Sequence, residues 1–191
     1  MPPPHVLEDG NYIPIIKNKL ELESALTTVK TTFETNLKEN VNLLRVSAPS
    51  FISKQSGFND NLNNDERPAT FRPRYFQHVK LEVPFSLVKC KRWPLHYYGI
   101  ETGQSLVTDM RGLRCGEDVD YTHSHYVGKW DYGRTISPED RNVEYLQETA
   151  KAVYKSIYDT EQTIPKMYDV ETVLPSDITF ASTNEMIKKV P

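Results

Sequence analysis

Apolar residues recur at three- and four-residue steps through Leu22, Ala25, Leu26, Val29, Phe33 and Leu37, and this stripe predicts an amphipathic helix. Glu21 and Glu23 near its start suit the positive end of the helix dipole. Leu43 to Val46 then predicts a strand, ended by Ser47-Ala-Pro49, because proline removes a ladder donor and restricts the residue before it. From Gln55 to Arg74 the periodicity disappears: "GFNDNLNNDERP" at 57–68 is turn-forming, and a loop of this length is long for a passive connection. Alternation returns in His78 to Val83 as a strand. Ser86 to Arg92 predicts one or two helical turns, with Pro94 arguing against an unbroken continuation.

Ser105 to Arg114 reads as a strand, and "CGEDVDYT" at 115–122 as the acidic turn leading into "HYVGKWDYG" at 125–133. The two strands form an antiparallel hairpin with a long loop. Period-two alternation puts His125, Val127, Lys129 and Asp131 on one face and Tyr126, Gly128, Trp130 and Tyr132 on the other. The aromatic face reads as core packing, since basic residues are too sparse around it for a base-stacking platform. Ser137-Pro138-Glu139-Asp140 predicts a helix start, followed by the stripe Val143, Leu146, Ala150, Val153, Tyr154 and Ile157. Ile178 to Ala181 predicts a strand, and Ser182-Thr-Asn-Glu185 a capping box opening a last helix.

Composition changes this picture little. The 191 residues are 38% apolar and 26% charged with a formal net charge of −3, which suits a soluble globular chain able to bury its own core. No basic field points to nucleic acid, and no apolar run predicts a membrane span. The start, Met1-Pro-Pro-Pro-His5, lacks the pattern of a secretory signal, so a cytoplasmic location is expected. Cys90 and Cys115 lack disulfide or zinc spacing and are read as free thiols. His123 and His125 lack further ligands at metal spacing, so no metal site is predicted.

The polar residues that could carry chemistry are Asp60 in the long loop, Ser86, Lys89, Lys91 and Arg92 in "FSLVKCKR", Arg114 at a strand end, and Lys129 with Asp131. Cations converging beside carboxylates suit a site for phosphate and a zwitterion. By themselves they equally fit solvated charges on a half-exposed sheet. Lys129 and Asp131, two apart on one strand face, lie about 7 Å apart at their Cα atoms and within pairing reach.

The strings "RVSAPSFI", "SGFNDNLNNDERP", "FSLVKCKR", "VTDMRGLRCGEDVD", "HSHYVGKWDY", "SPEDRN" and "LPSDITF", in that order, resemble the first half of ammonia-dependent asparagine synthetase A, the aspartate–ammonia ligase family. The resemblance runs from about Pro14 onward and leaves residues 1–13 as a proline-containing extension before a half-domain at 14–191. It implies an α+β fold: a class II aminoacyl-tRNA synthetase-like antiparallel sheet flanked by helices, incomplete because only the first half of the family domain is matched. The implied activity makes asparagine from aspartate, ATP and ammonia through β-aspartyl-AMP, with Mg2+. By the same resemblance Arg114 is the phosphate-contacting arginine of the second class II motif, and Lys91 stands beside the reacting carboxylate. Asp60, Ser86 and Asp131 are substrate-binding positions, and the first helix and strand are the first motif, which forms the family's homodimer.

Two departures fall on pocket positions. Phe85 stands where the family carries histidine, and Gly128-Lys129 where it carries Asp-Gln. A third is the lack of a glycine-rich third motif. Lysine at 129 brings an ammonium to the place where the substrate's own ammonium is expected beside Asp131, so Lys129 is read as an internal substitute for substrate. The preferred expectation is a pocket-altered, noncatalytic member acting as a structural or binding subunit, with no cofactor of its own and a protein partner over the exposed half-domain face. The alternative is an active ligase completed by a second half.

Overall fold

The computed structural model describes residues 14–59, 67–120 and 122–188. The predicted extension at 1–13 and Asp60 lie outside them. In chain order the elements are α1 (Lys19–Val41), β1 (Leu43–Arg45), β2 (Ile52–Ser53), β3 (Thr70–Phe71), β4 (Leu81–Glu82), α2 (Arg92–Tyr97), β5 (Ser105–Leu113), β6 (Tyr126–Arg134), α3 (Val143–Glu161) and α4 (Thr183–Ile187), with short 3-10 turns at Lys54–Ser56, Lys89–Lys91 and Ile164–Lys166. They fall into two compact units, one holding Leu43–Thr135 and the other joining Ile15–Asn42 to the chain from Ile136. No helix among the described residues is long and apolar enough to cross a membrane.

The first unit is built on the hairpin. β5 pairs antiparallel with β6 over nine rungs, from Ser105 opposite Arg134 to Leu113 opposite Tyr126, and β1 adds a short parallel edge through Leu43–Arg45 against Ser105–Val107. A smaller antiparallel sheet, in the order β2-β4-β3, accompanies it. Leu106, Val107 and Met110 are buried on β5, and Met110 packs with Leu87 and Cys90 against Ala48 and Phe58. Gly112 allows a close crossing, because a β-carbon there would come 3.3 Å from the Pro84 carbonyl oxygen and 3.4 Å from that of Phe85. That close approach lays segment 84–91 over one face of the hairpin.

Pro94 does not stop α2, contrary to the expectation drawn from it. It occupies the third helical position, where its missing N–H is one that an α-helix leaves unbonded anyway. The predicted strand at His78 to Val83 shrinks to the two residues of β4.

The second unit pairs α1 with α3. Asn18 caps α1, its side-chain oxygen accepting the N–H groups of Leu20 at 2.9 Å and Glu21 at 3.2 Å, and Asn42 closes it in the left-handed region at φ 49°. The predicted start of α3 moves. Ser137 caps only a turn, through its Oγ and the Asp140 N–H at 3.2 Å, and the helix begins at Val143 under Asn142, which accepts the Tyr145 N–H at 2.8 Å. The face of α3 that meets α1 is small and polar: Asn36 donates to Thr160 at 3.1 Å and Asn40 to Ser156 at 3.0 Å, with Ser156 and Thr160 buried. The apolar stripe of α3 is divided: Val143, Leu146 and Ile157 are exposed, while Ala150, Val153 and Tyr154 are half-buried. Ile178 to Ala181 is irregular rather than a strand, and no strand among the described residues pairs with it. The capping box at Ser182 and Glu185 is formed as predicted.

Candidate functional site

Opposite residues of an antiparallel pair share a face. Leu106, Thr108, Met110 and Gly112 therefore lie on the same side as Gly133, Asp131, Lys129 and Val127, and segment 84–91 covers that side. The expected contrast between a charged outer face and an aromatic core face is reversed at its centre. Asp131 is 6% exposed and Thr108 2%, whereas on the other side Trp130 and Tyr132 are half-buried and Tyr126 is 57% exposed. What permits a buried carboxylate is the set of donors aimed at it.

Those donors come from two segments. Lys91, at the end of a 3-10 turn and only 4% exposed, places its Nζ 3.8 Å from Asp131 Oδ2 and donates a hydrogen bond to Thr108 Oγ1. The Leu87 N–H donates to the same Asp131 Oδ2 at 2.9 Å. From β6 itself, Lys129 Nζ lies 3.8 Å from Asp131 Oδ1 and 3.5 Å from the Phe85 carbonyl oxygen. Burial pulls the Lys91 ammonium below the ordinary lysine range; Asp131 opposes that shift and Lys129 adds to it. Burial also pushes the neighbouring Cys90 thiol upward, against the field of Lys91. Both Cys90 and Cys115 are free thiols.

Around this centre, Ser86 is fully buried, but its hydroxyl turns to local backbone and accepts the Val88 N–H at 3.3 Å. Phe85 is buried, and its N–H donates to Asn59 Oδ1 at 2.9 Å. Asn59 in turn donates to Glu82 at 3.3 Å, so the residue just before Asp60 is fixed against this segment. Gly128 does not join the group. It lies on the opposite face of the hairpin, where a β-carbon would come 2.9 Å from Arg111 Nη1, and Arg111 pairs there with Asp109 at 2.9 Å.

Arg114 continues β5, donating its N–H to the His125 carbonyl at 2.8 Å, and strand alternation puts it on the Lys91 face. It stands six residues along the strand from Thr108, about 20 Å away. Its guanidinium meets Glu117 at 3.1 Å, while its Nε is buried without a hydrogen-bond partner among the described residues. His123 pairs with Asp120 at 2.9 Å and His125 with the Arg114 carbonyl at 2.9 Å; no group of three or more His, Cys, Asp or Glu among the described residues is placed to hold a metal ion.

The sequence profile of the aspartate-ammonia ligase family matches residues 20–191. The chain belongs to the aspartate–ammonia ligase family. It is 42% identical over 181 residues to the aspartate–ammonia ligase of Clostridium perfringens strain 13, covering 94% of this chain and 54% of that protein. It is 43% identical over 173 residues to the ligase of Fusobacterium nucleatum, covering 90% and 52%. The chain thus spans about half the length of the curated relatives it matches. In structure it resembles pyrrolysyl-tRNA synthetase from Desulfitobacterium hafniense, with a TM-score of 0.53 at 13% identity over 75% of this chain and 52% of that one. That likeness is one of fold, and it confirms the expected α+β, class II synthetase-like architecture.

Lys91, Asp131 and Lys129 are brought together by the fold. Thr108 and the Leu87 N–H complete their site, and pattern reading missed both. Thr108 could have been found only from the hairpin register, which the 115–122 loop does not specify, and a backbone donor leaves no residue signature at all.

Proposed function

We propose that this chain carries the carboxylate-holding part of an adenylate-forming aspartate–ammonia ligase site. The observation that carries the reading is the buried Lys91, its ammonium held between Thr108 and Asp131 on a face that segment 84–91 fixes to the hairpin. A lysine in such surroundings is a desolvated positive charge, suited to stabilising the charge that develops as a carboxylate attacks a phosphate. Asp131 supplies the anion for the amino side of the ligand. Arg114, on the same face but about 20 Å along the strand from Thr108, would meet ATP at a phosphate remote from the carboxylate that Lys91 faces. ATP supplies the adenylyl group when bound. The described residues group no carboxylates for Mg2+, and no step is assigned to it. A cytoplasmic location goes with a biosynthetic role.

A second reading is favoured by Lys129. Its ammonium already neighbours the Asp131 carboxylate, and the buried Phe85 stands beside it, so the chain would be a noncatalytic binding or structural subunit with a filled pocket. In either reading, self-association through α1 and β1 and a protein partner over apolar surface are part of the proposal. Leu22 and Leu26 on α1 are exposed, as are Val143 and Leu146 on α3.

Aspartate-dependent ATP–pyrophosphate exchange, measured on wild type and Lys91→Met, tests both. The ligase reading expects exchange that falls at least about 100-fold in the variant. Exchange unaffected by the substitution overturns the assignment of Lys91. Carboxylate binding without exchange favours the noncatalytic reading.

A further inference from the structure

Two ammonium groups address one carboxylate at this site. Asp131 Oδ2 is engaged by the Leu87 N–H and faces Lys91, and Oδ1 faces Lys129. Among the described residues Asp131 is the carboxylate both lysines pair with, so the trio Lys91, Lys129 and Asp131 carries two ammonium groups against one carboxylate. The two lysines differ in accessibility. Lys91 is closed in by segment 84–91, whereas the side chain of Lys129 is 26% exposed and its nitrogen is tied only loosely, at 3.5 Å, to the Phe85 carbonyl. Of the two ammonium groups, that of Lys129 is therefore the one open to solvent.

An amino acid such as aspartate brings two carboxylates and an α-ammonium. At this site the ammonium would face a carboxylate already compensated from both of its oxygens, with a like charge beside it. A dicarboxylate of the same length without the ammonium meets no such conflict, and its anionic groups are complementary to the excess cation. We propose that Lys129 is a specificity-determining residue that makes this site prefer a small dicarboxylate lacking an α-ammonium group over the corresponding amino acid. The proposal rests on the reading of Asp131 as the partner of the ligand's amino side. It concerns a single side chain and does not depend on whether catalysis follows binding.

The experiment is calorimetric titration of the chain with succinate and with L-aspartate, which differ only in the α-ammonium. Wild type, Lys129→Gln, Lys129→Arg and Lys91→Met are compared, each first checked for its folded circular dichroism spectrum. Wild type is expected to bind succinate roughly 10- to 100-fold more tightly than aspartate, as like-charge repulsion at a partly screened site implies. Lys129→Gln is expected to reverse that order, Lys129→Arg to retain it, and Lys91→Met to lose both ligands. Equal or tighter aspartate binding by wild type, or a preference unchanged in Lys129→Gln, overturns the role of Lys129 and leaves the ligase-type site standing. If neither ligand binds wild type or Lys129→Gln, both the inference and the site reading fall.

Discussion

Replacing Asp131 with alanine strands two groups at once. The Leu87 N–H, which donates to Asp131 Oδ2 at 2.9 Å, loses its acceptor, and the Lys91 ammonium at 4% exposure retains only the Thr108 hydroxyl. An orphaned buried donor costs about 1–3 kcal/mol, and breaking a buried ion pair by removing one partner costs about 3–5 kcal/mol in all. The half-exposed Lys129 contributes at most about 1 kcal/mol to the loss, since solvent screens it. Asp131→Ala is therefore expected to lose about 3–5 kcal/mol at pH 7, read as the shift in urea midpoint at an unchanged slope. The loss has a pH signature. Lys91 is already held below its ordinary pKa, and removing Asp131 takes away the main influence raising it. A lysine whose folded pKa is depressed lets the unfolded chain bind more protons, so stability is present above the unfolded pKa of about 10.4 and is lost as pH falls through the folded value. The deficit of Asp131→Ala relative to wild type should consequently shrink toward the hydrogen-bond contribution, about 1–3 kcal/mol, near pH 10. A loss below about 1 kcal/mol at pH 7, or one that does not change between pH 7 and 10, would refute the reasoning.

Two glycines on opposite faces of the hairpin should respond differently to alanine. Gly112→Ala drives a methyl against the Pro84 and Phe85 carbonyls, which are backbone and cannot swing away, and should cost about 1–3 kcal/mol in urea unfolding; Gly128→Ala meets only the flexible end of Arg111 and should cost less than about 1 kcal/mol. In α4, Glu185 is held below the ordinary carboxylate range mainly by the Ser182 N–H, with the Ser182 hydroxyl adding to it. A depressed folded pKa gives stabilisation that is present at neutral pH and lost as pH falls through that value, so the protection factor of the Glu185 amide, its intrinsic exchange rate divided by the observed rate at the same pH, should fall on acidification. Ser182→Ala should lower that protection factor at neutral pH and flatten its pH dependence.

The hairpin was legible because each strand runs nine residues with no proline, and the acidic, turn-forming stretch 115–122 lies between them. The two helices were legible because their apolar stripes keep a helical period. What the stripes could not show is which face is used. In α3 the buried side is Ser156 and Thr160, whose hydroxyls are satisfied by Asn36 and Asn40, and no hydrophobic pattern marks such a seam. Ser137-Pro-Glu-Asp carries every sign of a helix start yet closes a single turn, because Asn142, five residues on, offers a second cap immediately before the helix. At the site, Lys91, Asp131 and Lys129 were visible as charges in a recognisable order. The pairing of Lys129 with Asp131 was readable from strand alternation, but the arrival of Lys91 was not, since it depends on the Thr108–Asp131 rung and on the close crossing at Gly112, and both are consequences of register.

The two ladders of the larger sheet also differ in how the chain must travel to make them. β5 and β6 are joined by a single loop, whereas β1 reaches β5 only after most of that unit has passed between them. Closing the shorter loop costs less chain entropy, so the hairpin is the segment that can form early and the parallel edge must follow. Thr108 and Asp131 are in place as soon as the hairpin is. Lys91 and the Leu87 amide arrive only when the intervening chain has folded down. On that order the Lys91–Asp131 ion pair follows the hairpin rather than nucleating it.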